Sequence, residues 1–134
     1  MKYTVESDVG KKRVINEDRA AFFERSDNIK LAILADGMGG HNAGEVASAD
    51  ALENLQFFIN DLPKNLSSVE FNEMIMVWLD SVNKMIASKG LVNPSMSDMG
   101  TTLVGIIYYN KKYYWVNCGD SRLYRYRNGQ LLQL

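Results

Sequence analysis

One cysteine, one histidine and two prolines among 134 residues remove several architectures before any motif is read. Cys118 has no second cysteine to bridge to, so no disulfide scaffold holds this chain together. With 46% hydrophobic and 23% charged residues, neither a disordered tail nor a collagenous repeat fits. Charge of one sign is lacking too: 15 Lys and Arg face 16 Asp and Glu, a formal net charge of -1. No global field draws the chain to nucleic acid or to anionic lipid, and neither is expected as a partner. Long apolar runs are missing, the best being residues 31–35 and 103–109, far short of the roughly 20 needed to cross a bilayer. The opening eight residues lack the apolar centre of a signal peptide, so the expected compartment is the cytoplasm.

What is present suits one domain. At 15.2 kDa the chain can bury a single modest core and not two, so residues 1–134 are read as one unit, without repeats or linkers. Loose alternation over residues 2–9, the Phe22-Phe23 stretch at 19–24, and the apolar run at 30–35 predict three strands, the last buried on both faces. Ser26-Asp27-Asn28 supplies turn chemistry between the second and third. Asp36-Gly37-Met38-Gly39-Gly40 then breaks regular structure, because its glycines favour close backbone approach to a ligand.

Two helices follow. Asn42 with Glu45 reads as a capping box, and Val46, Ala49, Leu52, Leu55, Phe58 and Ile59 recur at helical spacing until Pro63. Ser67 with Glu70 repeats the signature ahead of a stripe from Phe71 through Trp78 to Ile86, ended by Gly90. That stripe predicts a core-facing helix rather than a partner-binding face. Strands at 101–109, 113–118 and 123–127 come next, and Asn128-Gly129 predicts a hairpin into 130–134. Strands, helices, then strands is the order of an α+β protein.

Three acidic clusters stand beside predicted strand ends: Asn16-Glu17-Asp18, Asp36-Gly37 and Gly119-Asp120-Ser121. Hard divalent cations take carboxylate oxygens from separated chain positions converging on one point. By spacing alone, Asp36 either meets such a metal or merely opens a glycine turn. The glycine-rich segment between strand and helix invites a nucleotide reading, yet Asn42 stands where a dinucleotide fingerprint needs its third glycine, and no Gly-Lys-Ser/Thr ends a phosphate loop.

Taken in order, four segments resemble the metal-dependent protein phosphatases of the 2C type (PP2C). They are Gly10-Lys11-Lys12-Arg13-Val14-Ile15-Asn16-Glu17-Asp18, the stretch from Leu34-Ala35-Asp36-Gly37 to Ala47-Ser48, Gly100-Thr101-Thr102, and Val116-Asn117-Cys118-Gly119-Asp120-Ser121-Arg122. The Asp-Gly-Met-Gly-Gly-His wording is similar to the bacterial branch. The resemblance implies a β-sandwich flanked by antiparallel helices and hydrolysis of phosphoserine or phosphothreonine in proteins by a metal-activated water. It implies Mn2+ or Mg2+, two or three ions in a complete domain, with Asp36 bridging two of them and Gly37 offering its carbonyl. Glu17 and Asp18 would support the metal-bound waters, Asp120 a third and weaker metal, and Arg13 the substrate phosphate. On this reading Asp18 and Asp36 are the catalytic carboxylates and Glu17, Asp36, Gly37 and Asp120 the metal group.

The chemistry is coherent: two cations about 3.5 to 4 Å apart clamp phosphoryl oxygens without a protein nucleophile, and a guanidinium such as that of Arg13 binds phosphate in bidentate fashion. Departures also matter. Some relatives in the resemblance carry a histidine directly after Asp-Gly, where this chain has Met38. His41 lies three positions beyond and is expected to be a surface or helix-capping residue. Cys118 is expected to be small and buried at a strand end. The later aspartates that complete a family metal site do not occur after Gln130. The expectation is therefore the N-terminal part of a phosphatase domain, incomplete as this chain, with phosphoprotein substrates, a serine/threonine kinase or its targets as partners, and self-association through exposed edges. The alternative is a non-catalytic regulatory or phosphoprotein-binding module on the same scaffold.

Overall fold

A computed structural model describes residues 2–25, 28–40 and 42–134. Of the expected Ser26-Asp27-Asn28 turn, Ser26 and Asp27 lie outside the described residues, as does His41, and Asn28 takes a positive φ of 66°.

Strands β1 (Asp18–Arg25) and β2 (Ile29–Met38) form an antiparallel hairpin whose register runs from Arg25 opposite Ile29 to Asp18 opposite Asp36. Beyond two helices, β3 (Gly100–Thr101) returns to β2, pairing with Gly37 and Met38. Strand β4 (Leu103–Tyr109) lies against β2, and β5 (Lys112–Cys118) against β4. The five-stranded sheet therefore runs β1-β2-β4-β5, with β3 extending it at the end where the acidic residues lie. Strands β6 (Tyr124–Arg127) and β7 (Gln130–Gln133) form a separate two-stranded sheet about the predicted Asn128-Gly129 turn, and both its central residues adopt positive φ. Strands flank two helices, the α+β order expected.

Helix α1 (Ala43–Asp61) packs on β1 and β2. Its buried face is graded: Ala43, Gly44, Ala47, Ser48 and Ala51 come first, then Leu52, Leu55 and Ile59. Small residues let the helix start lie almost on the sheet beside Glu17 and Gly37, and the larger ones fill the wider gap further along. Arg25, at the other end of β1, ties down the helix exit by donating to the carbonyls of Ile59 (2.6 Å), Asn60 (2.9 Å) and Leu62 (2.9 Å). Those carbonyls have no partner within the helix, and a cation there opposes the negative end of the helix dipole.

Helix α2 (Ser68–Val92) begins with the expected capping box, Ser67 Oγ accepting from the Glu70 amide and Glu70 accepting from the Ser67 amide. Its stripe faces the core: Phe71, Trp78, Val82 and Ile86 are buried, and Met74, Ile75 and Met85 pack against them. Phe71 stacks on Tyr109 with ring centres 4.5 Å apart. The Tyr109 hydroxyl, itself buried, donates to the Pro63 carbonyl and accepts from the Leu66 amide, both at 2.8 Å, and so pins the α1–α2 connection to the sheet.

Several expectations fail for identifiable reasons. Residues 2–9 form no strand, because no neighbour offers them a ladder; Tyr3 instead stacks on Phe22 at 4.1 Å. Asp36, Gly37 and Met38 continue β2 because β3 pairs with the glycine-bearing end. That strand is buried on one face only, through Ile29, Leu31, Ile33 and Ala35, whereas Leu34 is 38% exposed on the other. Asn42 sits at φ -96°, ψ 15°, outside the extended geometry of an N-cap, and makes no side-chain cap bond. Its would-be partner Glu45 is taken by Arg19 of β1 at 2.5 Å. Gly90 does not end α2; it is buried inside it, where a side chain would meet the Met96 carbonyl of the short turn that follows. Cys118 is exposed, not buried.

Candidate functional site

The sequence-predicted residues gather where β1 begins and β2 ends. Their antiparallel register makes Asp18 and Asp36 direct cross-strand partners, placing two carboxylates on the face of the sheet opposite the helices. With Asp8, Arg13, Asn16 and Glu17 they line a polar cleft of about 290 Å³. A cavity of about 640 Å³ lies between α1 and α2 around Phe58, Met74 and Trp78, away from every one of these acids.

Each acid is held through its backbone. The Glu17 carbonyl accepts from the Gly37 amide at 3.2 Å and from the Ser48 hydroxyl, fully buried on α1, at 2.7 Å. The Asp18 amide donates to the Asn16 side-chain carbonyl at 3.0 Å, and the Asn16 amide group reaches Ser7 at 2.7 Å. The Asp36 amide donates to Thr102 Oγ1 at 3.1 Å, and its carbonyl accepts from the Thr102 amide at 2.8 Å and from Thr101 Oγ1 at 3.1 Å. Loop, strand and helix therefore all grip the same short stretch of backbone.

The close approach of α1 depends on glycine. A side chain at Gly37 would collide with the Gly44 carbonyl, and one at Gly44 with Glu17 Oε1 and, at 2.8 Å, with the backbone of Gly37 and Met38. Glu17 is pressed into this junction: Oε2 lies 3.4 Å from Arg13 Nη1, and Oε1 is buried without a hydrogen-bond partner among the described residues. Arg13 itself is mostly exposed, its side chain 70% accessible.

Electrostatics mark Asp36 as the strained acid. Partial burial raises its pKa above the ordinary carboxylate value, and the charge of Asp18, a hydrogen bond shared with Asp18, and the charge of Asp120 raise it further, while Arg13 lowers it. Asp120 follows β5 and does not line the cleft, yet its field reaches Asp36. Facing carboxylates and an orphaned glutamate oxygen are hard oxygen donors whose mutual repulsion a divalent cation relieves. They form a partial donor set: among the described residues no group of three or more acidic, histidine or cysteine side chains converges closely enough to hold a metal ion.

Three contributions are not legible as roles in the sequence: the Ser48 hydroxyl, the packing of Gly44 against Gly37, which the sequence marks only as a carbonyl ligand, and the threonines. Gly100-Thr101-Thr102 was visible as a motif without a role. Two adjacent threonines directly before an apolar strand are the available signal.

Residues 10–134 match the sequence profile of the family Protein phosphatase 2C. A serine/threonine phosphatase stp of Listeria welshimeri is 39% identical over 132 residues, covering 96% of this chain and 51% of the relative. Among solved structures, Stp1, a serine/threonine phosphatase from Staphylococcus aureus, superposes with a TM-score of 0.82 at 31% identity, over 94% of this chain and 49% of that one. The catalytic domain of the serine/threonine protein phosphatase PstP in complex with two manganese ions superposes with a TM-score of 0.79 at 36% identity, over 96% and 52%. The chain spans about half the length of the Listeria relatives it matches.

Proposed function

This chain belongs to the protein phosphatase 2C family, and we propose that it carries the first part of a metal-dependent phosphatase domain acting on phosphoserine and phosphothreonine in proteins. The observation that carries this reading is the cross-strand pair Asp18 and Asp36 in a polar cleft with Arg13. Mn2+ or Mg2+ is the fitting cofactor, supported by the donor chemistry of these acids and by the two manganese ions in the PstP relative. When bound, such ions supply Lewis acidity toward phosphoryl oxygens and a water of lowered pKa.

In this reading Asp36 and the Gly37 carbonyl hold metal, Glu17 and Asp18 orient its surroundings, and Asp120 serves a further, weaker position. Arg13 receives the substrate phosphate. Its long contact to Glu17 at 3.4 Å and its exposure leave the guanidinium free to swing toward a dianion, which binds it more strongly than one carboxylate does. The partial donor set supports low turnover by these 134 residues alone. The same observation favours a second reading, a phosphoprotein-binding module without hydrolysis.

Phosphorylated proteins, including targets of a serine/threonine kinase or the kinase itself, are the proposed partners, and the cytoplasm the proposed compartment. No described helix is long and apolar enough to cross a membrane. Self-association is proposed through exposed Tyr124, Tyr126, Leu131 and Leu132 of the small sheet and Trp115 at the edge of the large one. Calorimetric titration with Mn2+ tests the core of the proposal: wild type binds and Asp36→Asn loses most of the heat. Equal heats from both proteins reject Asp36 as a ligand. Phosphopeptide binding without any Mn2+-dependent release of phosphate, measured with the remainder of a family domain supplied, selects the binding-module reading.

A further inference from the structure

We infer that the Thr102 hydroxyl is the positioning group that couples Asp36 to the loop carrying Asp120. Thr102 lies between β3 and β4, 8% exposed, where three separated segments meet. Its Oγ1 accepts the Asp36 amide proton at 3.1 Å and stands 2.7 Å from Ser121 Oγ. That oxygen and Ser121 Oγ share a hydrogen bond in which either hydroxyl can donate, so one oxygen joins the backbone of β2 to the loop after β5.

The loop is shaped around this side chain. Gly119 takes φ +105°, and a side chain there would strike Thr102 Cγ2 at 2.8 Å and Cβ at 3.0 Å, so the loop backbone rests directly on the threonine. Asn117 Nδ2 donates to the Ser121 carbonyl at 3.2 Å and closes the turn from the other side. Asp120 is thereby fixed between Gly119, which rests on Thr102, and Ser121, which bonds to it. Asp36 and Asp120 have no backbone contact of their own in this network. Yet the Asp120 charge acts on Asp36, and within the frame that the paired strands supply, the Thr102 hydroxyl is the side-chain group that bonds to both segments.

The consequence for metal binding rests on the function proposed above, but the coupling does not, and amide exchange and backbone NMR order parameters test it in the metal-free chain. In Thr102→Val, which keeps the shape and loses the hydroxyl, exchange at the Asp36 amide speeds by about tenfold or more and the order parameters of residues 119–121 fall, while α1 and α2 keep their protection. Thr102→Ser retains both the slow Asp36 amide and the ordered loop. Ser121→Ala lowers the order parameters of 119–121 and leaves Asp36 slow, which keeps the test informative even if Thr102→Val fails to fold. Unchanged order at 119–121 in Ser121→Ala, or equal damage from Thr102→Ser and Thr102→Val, or uniform acceleration over the whole chain, overturns the inference. In parallel, Mn2+ affinity by calorimetry falls about tenfold in Thr102→Val and stays within about twofold in Thr102→Ser. If wild type takes up no Mn2+, the metal reading fails and the exchange and order-parameter data still decide the coupling.

Discussion

Replacing Gly44 by alanine isolates the contact that seats α1 on the acidic end of the sheet. The new methyl falls on Glu17 Oε1 and 2.8 Å from the Gly37 carbonyl carbon and the Met38 nitrogen, and the latter two are backbone atoms in a paired strand. No flexible side-chain tip can yield to relieve them, so the first turn of α1 must move outward. Overpacking of this kind costs about 1 to 3 kcal/mol. Alanine returns up to about 1 kcal/mol through helix propensity, less in a first turn, leaving a net loss of about 1 to 2 kcal/mol. For a chain of this size that lowers the melting temperature by about 3 to 8 °C. Gly40→Ala is the control, since nothing lies within 4 Å of a side chain there, and its effect stays within about 0.5 kcal/mol. Thermal unfolding by circular dichroism measures both variants. A Gly44→Ala protein as stable as wild type would refute the claim that helix seating depends on that glycine.

How far this arrangement was legible in the sequence depends on whether a feature is local. The Ser67–Glu70 box, the α2 stripe and the Asn128-Gly129 hairpin are local, and each forms as read. Even the pairing of Asp18 with Asp36 was within reach, because strands read at 19–24 and 30–35 centre on residue 27, from which 18 and 36 are equidistant. The failures involve competition from distant chain. The Asn42–Glu45 signature is sound in isolation, but Arg19 of a neighbouring strand offers Glu45 a charged partner. The alternation over residues 2–9 is real, but alternation makes a strand only where a ladder is available. Leu34 and Cys118 read as buried by composition, yet Leu34 lies on the face of the sheet away from the helices, and Cys118, although on the helix face beside Leu103, sits exposed at the end of the edge strand β5. The roles of Ser48 and Thr102 follow the same rule: each grips backbone 31 or 66 residues away, and no spacing within a motif encodes that.

Two more outcomes follow from the hydrogen bonds and charges. Tyr109→Phe leaves the Leu66 amide and the Pro63 carbonyl without their buried partner and lowers stability by about 1 to 3 kcal/mol in urea unfolding, with the unfolding slope unchanged; a neutral result would mean that water replaces the hydroxyl. The acid pair gives the chain a pH dependence whose sign is fixed by Asp36. Its folded-state pKa is raised, first by burial and then by Asp18 and Asp120, whereas in the unfolded chain it returns to the ordinary value. Ionisation is therefore harder in the folded state, and the contribution of Asp36 to stability is largest while the acid is protonated and is lost as pH rises through its elevated pKa. Asp36→Asn removes that decline, so the wild-type-minus-mutant stability difference falls with rising pH across the window just above the ordinary carboxylate range. A divalent cation competes with the same proton, so Mn2+ affinity must climb over the pH interval in which the metal-free protein loses stability. Denaturant melts of both proteins across that interval, with and without Mn2+, measure the two slopes together, and a stability difference that rises with pH would refute the repulsive pairing of Asp18 and Asp36.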